Sequence, residues 1–149
     1  MAVVNYDELA NAVEFVSISD FDNSAYVCLV TGAIYYVSSE LEEEVPDDIE
    51  TSDKYIQVPN KKYFDLGSRL ALSFVARELP DDYDRAAGFF RKRGAYSRFK
   101  DLLHERRALE KWYEYEAKAT EAALRLWCED NGIELSFAKP APDAEPQKG

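Results

Sequence analysis

By Val58 the chain has spent its short runs rich in Val, Ile and Tyr, and from Tyr63 onward its apolar residues recur every three or four positions. A half-buried strand repeats every two residues and a helix every 3.6. Strand-like runs followed by helical ones predict an α+β chain. Ala25–Val30 and Ala33–Val37 are separated by Thr31-Gly32, and glycine supplies the positive φ of a tight turn, so the pair reads as a hairpin. Lys54–Val58 is a third short strand, closed by Pro59. Between them, Ser38–Asp53 carries eight acids, no base and Pro46, which predicts a solvated loop.

Helices flank this sheet. Asn5 with Glu8 has the spacing of a capping box, Asn replacing Ser or Thr, and Leu9, Ala12, Val13 and Val16 follow at helical spacing. In the second half, Tyr63–Leu79 places Leu66, Leu70, Ala71, Phe74 and Val75 on one face and must stop before Pro80. Asp81 or Asp82 is placed to cap the next helix, whose buried side is Tyr83, Ala86, Ala87 and Phe90. Gly94 breaks it. Ala95–Arg106 then buries Tyr96, Phe99, Leu102 and Leu103. Leu109–Asp130 ends at Asn131-Gly132 and is apolar on more than one stripe, as a central helix would be. The expected architecture is α+β: an N-terminal helix and a small antiparallel three-stranded sheet packed on a C-terminal bundle of about four helices. It forms one globular domain over residues 1–137, with a disordered, proline-rich tail over 138–149.

Read together, Asp65–Val75, Leu79–Asp84, Arg93–Leu103, Glu110–Tyr113 and Trp127–Gly132 resemble a bacterial family, the uncharacterised protein family zero-one-five-eight. The likeness spans roughly residues 10–135 and is densest from 54 to 132. That family has no established activity, so the resemblance implies no catalytic residue.

The net charge of -11 conceals a strong asymmetry. Residues 1–60 hold 13 acids and one base, whereas residues 85–107 hold eight bases and two acids. At 46% hydrophobic and 13% aromatic, the chain is too apolar for an acidic disordered polymer. It has no apolar run long enough for a membrane span and opens on no signal-peptide pattern. The expectation is a cytoplasmic protein without a membrane partner.

Catalytic signatures are missing from the sequence. His104 is the one histidine, and no Gly-x-Ser-x-Gly elbow accompanies it. Cys28 and Cys128 lack metal or dithiol spacing, and the glycines are isolated, so neither a metal nor a cofactor is expected. Asp81, Asp82 and Asp84 lack the ligands that complete a calcium loop. Glu114–Lys118 and Glu121–Arg125 are self-explanatory i,i+4 pairs rather than a glycosidase carboxylate set.

What remains is the basic segment. Arg91, Lys92, Arg93, Arg98, Lys100, His104 and Arg107 are candidates for holding an anion or a partner, with Lys100, His104 and Arg107 on one helical face. Tyr35, Trp112 and Tyr113 are candidates for an aromatic surface. The leading reading is a non-enzymatic interaction or regulatory module that binds a protein partner, or a second copy of itself, through a two-signed surface. The alternative is a nucleic-acid-binding protein that uses residues 85–107, since cations beside exposed rings hold single strands. An enzyme with a carboxylate- or metal-based site is the third. Exposure of the cations separates these, because bases neutralised by the chain's own acids cannot serve a polyanion.

Overall fold

The computed structural model describes residues 1–18, 22–39 and 44–138. Its α+β elements run β1 (Ala2–Asn5), α1 (Tyr6–Val16), β2 (Ser24–Cys28), β3 (Ile34–Val37), β4 (Tyr55–Gln57), α2 (Ser68–Glu78), a 3-10 turn (Pro80–Asp82), α3 (Tyr83–Phe89), α4 (Ala95–Glu105), α5 (Leu109–Asp130) and β5 (Ile133–Ser136). The chain falls into two compact units. One comprises residues 1–60 with 124–149, and the other comprises residues 61–123.

In the first unit β2 is central, antiparallel to β3 and β4, with Tyr26 opposite Tyr35 and Val27 opposite Ile56. The Thr31-Gly32 turn joins β2 to β3, with Gly32 at φ 83°. α1 lies against this sheet through Leu9, Ala12 and Val13, all fully buried, and Phe15 meets Tyr36 edge to face at 5.0 Å. Asn5 caps α1 as its spacing predicts: its side-chain oxygen accepts from the Glu8 amide at 3.1 Å.

A second, two-stranded parallel sheet was not legible in the sequence. β1 pairs with β5 from Ala2↔Ile133 to Asn5↔Ser136. Each strand is four residues long, too short for a period-2 pattern to stand out, and the two partners lie at opposite ends of the chain. Asn5 strengthens this closure, because its amide group donates to the Ala138 carbonyl at 2.7 Å. The ring of Tyr6 stacks on Phe137 at 5.0 Å. The rest of the expected tail, and Glu40–Glu43 of the expected acidic loop, lie outside the described residues.

The second unit holds α2, α3, α4 and the first part of α5 around a core of Ala71, Phe74, Val75, Ala86, Phe99, Leu102, Leu103, Ala108 and Trp112. Three expectations need correction here. α2 begins at Ser68 rather than Tyr63, because Asp65 takes the left-handed conformation (φ 58°) and a turn closes Leu66 N–H on the Lys61 carbonyl. Asp82 stands at the start of α3 but makes no side-chain capping bond, since both its oxygens are taken by Arg106. Tyr83 is exposed rather than buried, because its helix is only seven residues long and turns a single side inward at Ala86.

Candidate functional site

The second unit carries fourteen Lys and Arg against eleven Asp and Glu, a net of +3, inside a chain of net -11. α3 and α4 are each neutral by count; the excess charge comes from Arg91, Lys92 and Arg93 in the turn between them and from Arg106 and Arg107 just after α4. α4 starts because Gly94 takes a left-handed φ of 74°, which reverses the chain after the Arg91-Lys92-Arg93 run. Phe99, Leu102 and Leu103 then fix the buried side of α4 and turn the remaining positions outward.

Two of the bases are paired. Arg106 grips Asp82 with two 2.9 Å contacts, Nε to Oδ2 and Nη2 to Oδ1, and Arg85 meets Glu105 at 3.4 Å. The hydrogen bond from Arg106 holds the Asp82 carboxyl below the usual aspartate range. Arg91, Lys92, Arg93, Arg98 and Arg107 are exposed, and none makes an ion pair among the described residues. Of the eight bases in residues 85–107, Arg85 and Arg106 alone make ion pairs among the described residues.

The cations do not form a single helical stripe. Arg98 and Lys100 are two positions apart and so roughly 160° apart around α4. Exposed His104 remains on the Lys100 side. Arg107 leaves that face altogether: α4 ends at Glu105, and Arg107 adopts φ 57° while the Ala108 amide closes back on the Leu103 carbonyl at 2.8 Å. This is the left-handed helix terminus usually given to glycine. The basic surface thus wraps the outer side of α4 and both its ends.

The aromatic candidates separate into different environments. Trp112 is fully buried, packed edge to face against Phe74 at 5.5 Å and Phe99 at 5.0 Å, and is no surface anchor. The reason is its position: it follows Ala108 by four and precedes Tyr115 by three on the buried stripe of α5. Its indole N–H is buried without a partner among the described residues. Tyr35 is half-buried against Tyr55 at 6.1 Å in the other unit. Tyr113 alone keeps a surface role, at 45% exposed.

A residue that the helical pattern assigned to the core joins Tyr113. Tyr96 is 40% exposed. Lys100, one turn on, places its ammonium 5.7 Å from the Tyr96 ring centre and 4.8 Å from that of Tyr113 and donates to the Tyr113 hydroxyl at 3.2 Å. The Tyr96 hydroxyl donates to Glu116 at 3.2 Å. The i,i+4 spacing of Tyr96 and Lys100 was a readable signal. Their meeting with Tyr113 required the crossing of α4 and α5.

Two further features have chemical content. A cleft of about 280 Å³ is lined by Phe74, Tyr115 and the charged residues Arg77, Glu78, Lys111, Glu114 and Lys118. In it Glu78 already pairs with Arg77 at 3.5 Å and with Lys111 at 3.7 Å. In the first unit, burial alone would push the Cys28 thiol up. The hydroxyl and amide of Thr31, the amide of Val30 and the charge of Lys54 outweigh it and hold the thiol below its usual value. Neither feature unites a nucleophile with a base, and no three His, Cys, Asp or Glu among the described residues are grouped to hold a metal ion. Among the described residues no helix is long and apolar enough to cross a membrane.

The model of an uncharacterised protein family, UPF0158, matches residues 5–146, and the chain belongs to that family. No curated protein and no solved structure matches the chain significantly.

Proposed function

We propose that this member of the UPF0158 family is a nucleic-acid-binding protein that engages the phosphate backbone through the basic surface around α4. One observation carries the reading: Arg91, Lys92, Arg93, Arg98 and Arg107 are exposed and lack ion pairs among the described residues. Long flexible cations left without counter-charges are free to exchange condensed counterions for protein contacts, the main source of affinity for a polyanion. The overall charge of -11 opposes approach at long range. Beyond about 8–10 Å, however, salt screens that repulsion, so the local surface governs the bound state.

Fluorescence anisotropy with labelled oligonucleotides at ~50 mM salt tests the reading. Binding should weaken steeply with salt; for a single strand, three to five phosphate contacts give a log–log slope of about -2 to -4. Reversal of Arg91, Lys92, Arg93 and Arg98 to Glu should abolish it while leaving the circular dichroism spectrum unchanged. A wild-type protein that binds neither DNA nor RNA at low salt removes the proposal.

A basic protein partner is the second reading, favoured by the other unit, which has eighteen acids against four bases. It is removed if the chain sediments as a monomer and retains nothing from a bacterial lysate at low salt.

A further inference from the structure

We infer that the nucleic acid held at this surface is single-stranded, with Tyr96 and Tyr113 stacking on unpaired bases and Lys100 set between them to meet a phosphate. The inference rests on the reading of the cationic surface as a nucleic-acid site and narrows it to one class of ligand. The three residues meet although α4 supplies two and α5 the third: the Lys100 ammonium is 5.7 Å from one ring centre and 4.8 Å from the other. Both rings are substantially exposed, at 40% and 45%, whereas on the same helices Phe99 and Trp112 are fully buried and Tyr115 is half-buried.

Both rings are also held in place. Tyr96 leans on the Phe99 ring at 5.8 Å and is tied by its hydroxyl to Glu116 at 3.2 Å. Tyr113 accepts the bond from Lys100 at 3.2 Å. A ring fixed before binding loses little rotamer freedom when a base arrives. Lys100 has no carboxylate partner among the described residues, and its hydrogen bond goes to a neutral phenol, so its charge is not cancelled. Bases inside a duplex present only their edges, whereas an unpaired base presents a face to stack. Each stacked base contributes roughly 5- to 150-fold in affinity with little regard to sequence. Duplex binding, by contrast, would use the cations and leave the rings idle.

The test compares a single-stranded oligonucleotide with a duplex of equal length in the same anisotropy assay. Wild type should prefer the single strand. Y96L/Y113L should lose at least roughly tenfold on the single strand, keep its salt slope and leave duplex binding unchanged, and Y96F/Y113F, which keeps both ring faces but loses the hydroxyl bonds, should recover most of that loss. Photocrosslinking of a 5-iodouracil-substituted single strand to the unmodified protein gives a readout independent of variant folding, with adducts expected on Tyr96 or Tyr113. Equal wild-type affinity for both forms, together with crosslinks confined to other residues, overturns the stacking site and leaves the cationic surface standing. Failure to bind any nucleic acid overturns both, and so does binding only to vesicles of anionic phospholipid.

Discussion

Arg106 and Asp82 form a fork-to-fork pair, with two parallel contacts of 2.9 Å that tie the end of α4 to the turn before α3. Through its Nε–Nη2 edge the planar guanidinium matches both carboxylate oxygens at once, which a lysine cannot reproduce. The Asp82 side chain is 13% exposed, so loss of the arginine strands a carboxylate with little water. R106A should lower the urea midpoint and R106K should recover only part of the loss. Because the folded-state value of Asp82 is depressed, the pair's contribution is present above the ordinary aspartate value of about 4 and disappears as pH falls through the lowered value. The gap between wild type and R106A should therefore be widest near neutral pH and close in strong acid. A gap that persists in strong acid contradicts this account.

Gly32 should tolerate no side chain. It sits at φ 83°, and a Cβ there would fall on the backbone carbonyl of Val3 in β1. G32A combines a left-handed strain of roughly 1–2 kcal/mol with a clash against a strand that cannot swing aside without loosening its pairing with β5. A destabilisation above about 2 kcal/mol in chemical denaturation is expected, with faster hydrogen exchange at Val4. An unchanged midpoint would show that β1 is not held as described.

Trp112 carries the core of the second unit. W112A should cost about 3–5 kcal/mol, as large aromatic truncations in cores do. W112F should cost well under half as much, because it also removes an N–H buried without a partner, a burial that itself costs roughly 1–3 kcal/mol. A W112F loss of half the W112A loss or more would contradict an indole N–H buried without a partner.

The two cysteines should differ in reactivity. Both are free and buried, but burial pushes the Cys128 thiol up to about 11 while the Thr31 and Val30 donors hold Cys28 low. Iodoacetamide at pH 8 should modify Cys28 first, as read by peptide mass spectrometry, and T31V should slow it. For Cys128 the sign runs the other way from Asp82. Its folded value is raised, so its contribution is complete below the unfolded thiol value of about 8.5 and is lost as pH rises towards 11. C128A should therefore flatten the alkaline loss of stability.

The local rules were enough for most of the secondary structure. Asn5 declared the start of α1, Thr31-Gly32 the hairpin, Gly94 the break before α4, and Asn131-Gly132 the end of α5, because each of these is settled by the conformational freedom or hydrogen-bonding reach of one or two residues. Local rules were equally clear about where the charge lies along the chain. They could not pair Ala2 with Ile133, since the cost and gain of that contact arise between segments 131 residues apart, on strands too short to advertise themselves. Nor could they say that Asp82 would leave its helix terminus for Arg106, that Trp112 would be enclosed, or that Tyr96 would be left in solvent beside Tyr113. Helical periodicity fixes directions around one helix. What stands opposite each direction depends on how helices cross, so the order of residues supplied the cations and rings, and helix packing selected which were paired, which buried and which left bare.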